Sequence, residues 1–440
     1  MTTYEQAIAR LVTARRFGVV LGLDRMRELL ATLGSPEKRL GWIIHVAGTN
    51  GKGSTVAMIT SMLRAAGLRV GMYTSPHLNE LRERIAIDGE PIAYDDFARC
   101  ADRVVDAGGG EMTFFEQVTA IAFCAFADAR LDATVIEVGL GGRLDATNVV
   151  ESHVAVVTGV ALDHEAILGD TIEAIAREKA GIFKRDSIAV IGRTGDGAAF
   201  DVLVGAAKAV GAAVLAAPAP TGDEIVALHG GLQQWNAALA EEALRALARR
   251  GGPHVDAAAM ARGLATVVHP GRYEVFLDVT LSPQGATPIR VGRVILDGAH
   301  NPDAASGLAA AVRAEGRKPV LILGLSADKN LRGVIGALIE DVSAVVTTRA
   351  RNDRAMSPLE LAVIVREVAA DRGLERPVRE SGTLLGAFYS LDGLAPDVAI
   401  DKRTVLVAGS LFLVGEAREV LLGVRSDPPN ATDPPVTAKR

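Results

Sequence analysis

The 440-residue chain has only two cysteines, Cys100 and Cys124. Both fall in segments that read as helix, so they are packing residues and no disulfide framework is expected. No apolar run reaches the roughly 18 residues that a bilayer span requires. The opening "MTTYEQAIARL" has Glu5 early and no apolar h-region, so it does not read as a secretory signal. Positive charge is in deficit: Lys and Arg total 47 against 53 Asp and Glu, a net charge of -6, and no basic stripe is present. That balance argues against nucleic acid as the main partner. An internal repeat with a period of about 20 to 50 residues is also missing. The expectation is a cytoplasmic monomer acting on small molecules, without a membrane or nucleic-acid partner.

Hydrophobic residues make up 49% of the chain, ample for a core, and its length favours two domains. Short β-branched runs alternate with stretches of helical period. The strand candidates are "WIIHVAG", "RVGMYT", "ATVIEVG", "HVAVVTGV" and "SIAVIG". Between them apolar residues recur at three- and four-residue steps, as in Val56, Ile59, Leu63 and Ala66. Such alternation predicts βαβ units and a mainly parallel sheet with helices on both faces. The pattern restarts after "VTLSPQGATPIRVG", the linker candidate, with "RVILDGAH", "PVLILGL", "AVVTTRA" and "TVLVAGS". The expected α/β architecture is therefore an N-terminal P-loop NTPase-like domain over 1–280 and a smaller Rossmann-like domain over 285–425. The tail 426–440, "SDPPNATDPPVTAKR", is rich in Pro and poor in apolar surface, and is expected to be disordered.

The stretch "HVAGTNGKGST" joins the first strand to a helix. Gly48, Gly51 and Gly53 allow a tight turn whose N–H groups face a phosphate, Lys52 reaches the terminal phosphates, and the helix offers its positive end. The loop departs from G-x-x-x-x-G-K-[ST] twice, with Val46 in place of the first glycine and Gly53 after Lys52. Nucleotide binding is expected here. Three metal-ligand candidates follow strands or open helices: Ser75 in "YTSPHL", Glu116 in "MTFFEQVTA" and His164 in "GVALDHEAILG". Singly they read equally as a turn cap, a helix N-terminal charge and a loop histidine. Their placement at strand ends, where open α/β sheets bind ligands, favours a site. Lys179, in "TIEAIAREKAGIFKR", is followed by two small residues that admit close approach. By local sequence alone it reads as an exposed helical lysine. Further along, Arg272 suits developing phosphoryl charge, Asp297 suits ribose hydroxyls, His300 and Asn301 follow it, and Asn236 opens a helix. Asn236 and Asp297 are equally a helix cap and a turn residue.

These segments occur in a family order. "FGVVLGLDRM", "HVAGTNGKGS", "TSPHL", "TFFE", "EVGLGGRLDATN", "LDHEAILGDTIEAIAREKAGI", "NAALA", "PGRYE", "LDGAHNPDA" and "VLVAGSLFLVGEAR" resemble the folylpolyglutamate synthase/dihydrofolate synthase family of ATP-dependent Mur-type ligases, over about residues 1–425. The resemblance implies that Asn50, Gly51, Lys52, Gly53 and Ser54 hold the ATP phosphates. It assigns Ser75 and Glu116 to a first magnesium and Glu116 with His164 to a second, and potassium is a further candidate ion. Lys179 matches a lysine that the family carbamoylates. Asn236, Arg272 and Asp297 match nucleotide contacts, and His300 a position near the transferring phosphate. Asp145, in "GGRLDATN", and the "FGVVLGLDRM" segment would border the pterin site. Glu165 stands where a neutral residue is expected, which unsettles the role of His164.

The implied reaction is ATP-dependent addition of L-glutamate to a folate, to dihydropteroate, or to both, through an acyl phosphate that domain closure shields from water. His300 is the candidate to take the amine proton. Other readings compatible with the loop are a Mur-type ligase with a non-folate acceptor, and a nucleotide-controlled switch ATPase.

Overall fold

A computed structural model describes residues 2–14, 22–222, 225–282, 287–394 and 402–434. The first sheet contains β1 (Trp42–Ala47), β2 (Val70–Tyr73), β3 (Ile85–Ile87), β4 (Glu90–Pro91), β5 (Ala133–Glu137), β6 (Val154–Val160), β7 (Ile188–Gly195) and β8 (Ala213–Ala216). Their order is β4-β3-β2-β5-β1-β6-β7-β8, parallel except for β3 and β4 on one edge. The second sheet contains β9 (Glu274–Leu281), β10 (Ile289–Asp297), β11 (Val320–Leu323), β12 (Ala344–Thr347), β13 (Val378–Glu380) and β14 (Thr404–Ala408). Its order is β13-β12-β11-β14-β10-β9, with only β9 antiparallel.

β5 and β6 are buried along their whole lengths, which is why they read as unbroken apolar runs. Alternate residues of β1 enter different cores. Ile44 and Val46 pack with Val56, Ile59 and Leu239, whereas Ile43 and Ala47 join clusters on the other face. Cys100 and Cys124 are buried and free, in two helices of that other face. No helix among the described residues is long and apolar enough to cross a membrane.

Two expectations change. "VTLSPQGATPIRVG" is not a linker: its two ends belong to β9 and β10, which pair antiparallel from Leu281 and Ile289 back to Glu274 and Leu296. The boundary between the domains therefore falls before β9, near Arg272. β9 is a half-exposed edge strand, and only its last three residues, Val279 to Leu281, fall in the stretch that reads as a linker. The second change is in the tail, where residues 426–434 return to the first domain. Asp427 Oδ2 accepts from the Tyr4 hydroxyl at 2.6 Å and from the Leu81 N–H at 2.7 Å, and Ala431 is fully buried. Partners distant in sequence satisfy a segment whose own composition promises no core. Residues 435–440, and residues 17–21 of the "FGVVLGLDRM" segment, lie outside the described residues.

Candidate active site

The adjacent central strands β2, β5, β1 and β6 aim their carboxyl ends at the second domain, whose β11, β14 and β10 do the same in return. Ligands of open α/β sheets bind at such ends. A cavity of about 210 Å³ lies there, lined by the loop from Gly48 to Ser54. The helix Lys52–Ala65 starts from Gly51 at φ 83°, a left-handed conformation in which an L side chain is strained. A Cβ at Gly51 would also lie 2.4 Å from Asn236 Oδ1, so the glycine lets the loop seat against Asn236. Lys52 Nζ donates to the Thr49 carbonyl at 3.2 Å and stays over the loop. Ser75, His164 and Lys179 line this cavity from the first domain. Asn236 also lines it from the first domain, Arg272 from the junction, and Asp297 and His300 from the second domain. Asp297 accepts from the Tyr273 and Ala299 N–H groups at 2.9 and 2.8 Å, and burial raises its pKa.

Two acidic residues that the sequence reading passed over also line this cavity. Glu137, the last residue of β5, is 4% exposed, and its Oε2 accepts from the Ser75 N–H at 3.0 Å. Burial raises its pKa, opposed by the positive charges of Lys52 and Arg272. Asp163 accepts from Lys329 Nζ at 2.9 Å and from Asn301 Nδ2 at 3.1 Å. The available signal for Glu137 was a charged residue closing a strand that is otherwise apolar. His164 sits at φ 53°, in the left-handed region, as the residue preceding a one-turn helix. Burial lowers its pKa to about 4, so the imidazole is neutral at pH 7 and its lone pair is available. The neighbouring Glu165 is exposed and lines neither cavity.

Among the described residues no three His, Cys, Asp or Glu side chains are gathered closely enough to hold an ion alone. Ser75, Glu137 and His164 nevertheless fit a divalent ion whose remaining ligands are phosphate oxygens and water. A buried carboxylate facing the cavity calls for just such a compensating cation.

Lys179 is not an exposed helical lysine. It is 4% exposed and its Nζ donates to the Gly48 carbonyl, under the phosphate loop, at 2.9 Å. Burial, with Lys52 nearby, lowers its pKa from 10.5 to about 7. Of the two small residues after it, Gly181 admits Arg143: a Cβ there would lie 2.3 Å from the Arg143 Cβ.

A second cavity, of about 320 Å³, adjoins the first, and Ser75, His164 and His300 line both. Its walls include Phe115, Leu140, Leu144 and Phe412. Glu116 belongs to this cavity and not to the one around the phosphate loop. Its Oε2 accepts from the Thr113 N–H at 2.8 Å in a capping box, and its buried Oε1 has no hydrogen-bond partner among the described residues. Asp145 lines the same wall, but its oxygens accept from the Leu140 and Thr147 N–H groups, so it shapes the loop.

Asn50 turns away from the loop it belongs to. Its amide pairs reciprocally with Asn301, at 3.1 and 3.0 Å, and also donates to Asp303 at 2.8 Å. With Asp163–Lys329, this network ties the phosphate loop to the second domain.

Facing α/β domains, a phosphate loop and an adjoining second cavity are the architecture of the Mur ligase class, and the comparisons agree. The Mur ligase middle domain model matches residues 46–209, and the dihydrofolate synthetase C-terminal domain model matches residues 285–420. The Mycobacterium tuberculosis dihydrofolate synthase/folylpolyglutamate synthase is 34% identical, over 90% of this chain and 89% of its own. The chain belongs to the folylpolyglutamate synthase/dihydrofolate synthase family. It spans about half the length (50%) of a 38%-identical Haloferax volcanii relative, named a probable bifunctional folylpolyglutamate synthase/dihydropteroate synthase, with 94% of this chain covered. Among solved structures, M. tuberculosis folylpolyglutamate synthase complexed with ADP aligns with a TM-score of 0.81 at 32% identity, covering 96% of this chain and 100% of that one. Escherichia coli FolC in complex with DHPP and ADP aligns at 0.80 and 31%, covering 95% and 97%. A Yersinia pestis enzyme with AMPPNP and Mn ion aligns at 0.79 and 28%, covering 96% and 99%.

Proposed function

We propose that this chain uses ATP to join L-glutamate to the carboxylate of a pterin-bearing acid, either dihydropteroate or a folate. The observation that carries the reading is the pair of adjoining cavities with Ser75, His164 and His300 on their shared wall, one built around a phosphate loop and the other combining aromatic and apolar side chains with Glu116 and Asp145.

The acceptor carboxylate attacks the γ-phosphorus of ATP, the bond to the bridging oxygen breaks, and ADP leaves an acyl phosphate. Lys52, Arg272 and the helix N-terminus face the charge of that transfer. Ser75, Glu137 and His164 would hold a magnesium ion, which supplies further neutralisation of phosphate charge. The glutamate nitrogen then attacks the acyl carbon, and the carbon–oxygen bond to phosphate breaks. His300 Nδ1 lies 2.8 Å from the Gly298 carbonyl, which can only accept, so Nε2 carries the lone pair. Burial lowers the His300 pKa to about 4, and the neutral ring accepts a hydrogen bond from the amine as its proton leaves. Glu116 is better suited to the acceptor than to the metal: its Oε1, which has no hydrogen-bond partner among the described residues, can take an amino hydrogen of a pterin ring. A carbamate on Lys179 would add an anion beneath the phosphate loop, at a second cation position shared with His164.

ADP release measured with dihydropteroate and with tetrahydrofolate separately, each with and without L-glutamate, tests this. Release is expected only where an acceptor and glutamate are both present. Sustained release with neither acceptor nor amino acid would identify a switch ATPase, and failure of both pterins would remove the folate assignment.

A further inference from the structure

The segment after the helix Leu411–Leu422 lies beyond the family-model match, which ends at residue 420. It leaves the second domain and is fastened along the first by successive side chains. Arg425 pairs with Glu5 at 2.7 Å and Glu80 at 3.5 Å, with its guanidinium over the Tyr94 ring. Ser426 Oγ accepts from Asn79 Nδ2 at 2.9 Å, and the Asp427 N–H donates to the Asn79 carbonyl at 2.9 Å. Asp427 then bridges Tyr4 and Leu81, and Ala431 enters the first domain's apolar core. Last, Asp433 takes both ends of the Arg84 guanidinium, at 3.2 and 2.8 Å. Arg84 has no exposed surface, and its Nε donates to His77 Nδ1 at 3.0 Å. A buried guanidinium stripped of its carboxylate is strongly destabilising, so this clasp fixes where the segment ends its run.

The fixed end matters because Thr432, Asp433 and Pro434 line the larger cavity and are absent from the lining of the nucleotide cavity. We propose that residues 425–434 are a strap that completes the acceptor site, with Thr432 and Pro434 as specificity-determining wall residues held in register by the Arg84–Asp433 pair. The proposal rests on reading the larger cavity as the acceptor site. It assigns to the strap an effect on acceptor binding that the nucleotide does not share.

The test compares the full chain with a chain ending at Gly423 and with the double variant Thr432→Ala/Pro434→Ala, which trims the wall and keeps the clasp. KM for dihydropteroate or tetrahydrofolate and KM for ATP are measured for each, with Tm as the check on folding. The strap predicts an acceptor KM raised tenfold or more in the shortened chain and severalfold in the double variant, with the KM for ATP changed less than threefold in both. An unchanged acceptor KM in the double variant overturns it, even if the shortened chain fails to fold. Equal loss of acceptor and ATP affinity also overturns it, since that is the signature of a merely structural brace. If the full chain turns over neither pterin, the acceptor reading itself fails and the strap falls with it; normal turnover by the full chain with unchanged KM values in the variants removes the strap alone.

Discussion

Lys179→Ala is expected to lower turnover by about 10²- to 10³-fold, the range seen when one preorganised charge-stabilising group is removed from a site. The lysine is buried below the phosphate loop and lowered to about 7, so near neutral pH much of it is an uncharged amine. An uncharged amine can attack carbon dioxide, forming a nitrogen–carbon bond and losing a proton to give a carbamate. The sign of the pH effect follows. Below about 7 the ammonium predominates and has no lone pair; above it the amine is free, and carbamate formation rises to a plateau. Enzyme stripped of carbon dioxide should therefore regain activity with bicarbonate along a curve centred near 7, where an ordinary lysine would respond near 10.5. The alanine variant, with space where the modified side chain would sit, should be partly rescued by acetate or propionate. Wild-type turnover in Lys179→Ala would end the modified-lysine role.

Glu137→Gln is expected to reduce turnover about 100-fold and to raise the magnesium concentration needed for half-maximal rate. The amide keeps an acceptor for the Ser75 N–H and removes only the charge. Burial holds the Glu137 pKa above its ordinary value, so ionising it at neutral pH works against the native state. The neutral glutamine should consequently melt at the same temperature or higher, which separates lost chemistry from lost folding. Glu116→Gln is the contrast. It should raise the acceptor KM and leave the magnesium requirement unchanged, because Glu116 lines the other cavity. The reverse pattern in the two variants would restore Glu116 as the metal ligand.

These two glutamates show where local sequence stops being informative. Glu116 stands out because it opens a helix after an aromatic pair, whereas Glu137 sits at the end of a run that reads simply as a buried strand. Only the sheet order, with β5 between β2 and β1, brings Glu137 under Ser75 and beside Lys52. Asn50 is a similar case: its place in the phosphate loop was legible, but its amide belongs to the contact with Asn301. The end of β9 and the start of β10 read as linker because the Ser-Pro-Gln-Gly stretch between them has a linker's composition.

By itself the sequence determined the parallel strands, the phosphate loop and most of the residues around it. Strands covered on both faces must be apolar throughout, and a loop that approaches phosphate needs glycine and a cation at short spacing. The tertiary structure alone decided which acid faces which cavity, where one domain passes into the next, and that residues 425–434 fold back onto the first domain. Those outcomes depend on charge pairs and hydrogen bonds between residues hundreds of positions apart, such as Tyr4 with Asp427 and Arg84 with Asp433. Periodicity cannot encode such pairs, because neither partner changes the pattern of its own segment.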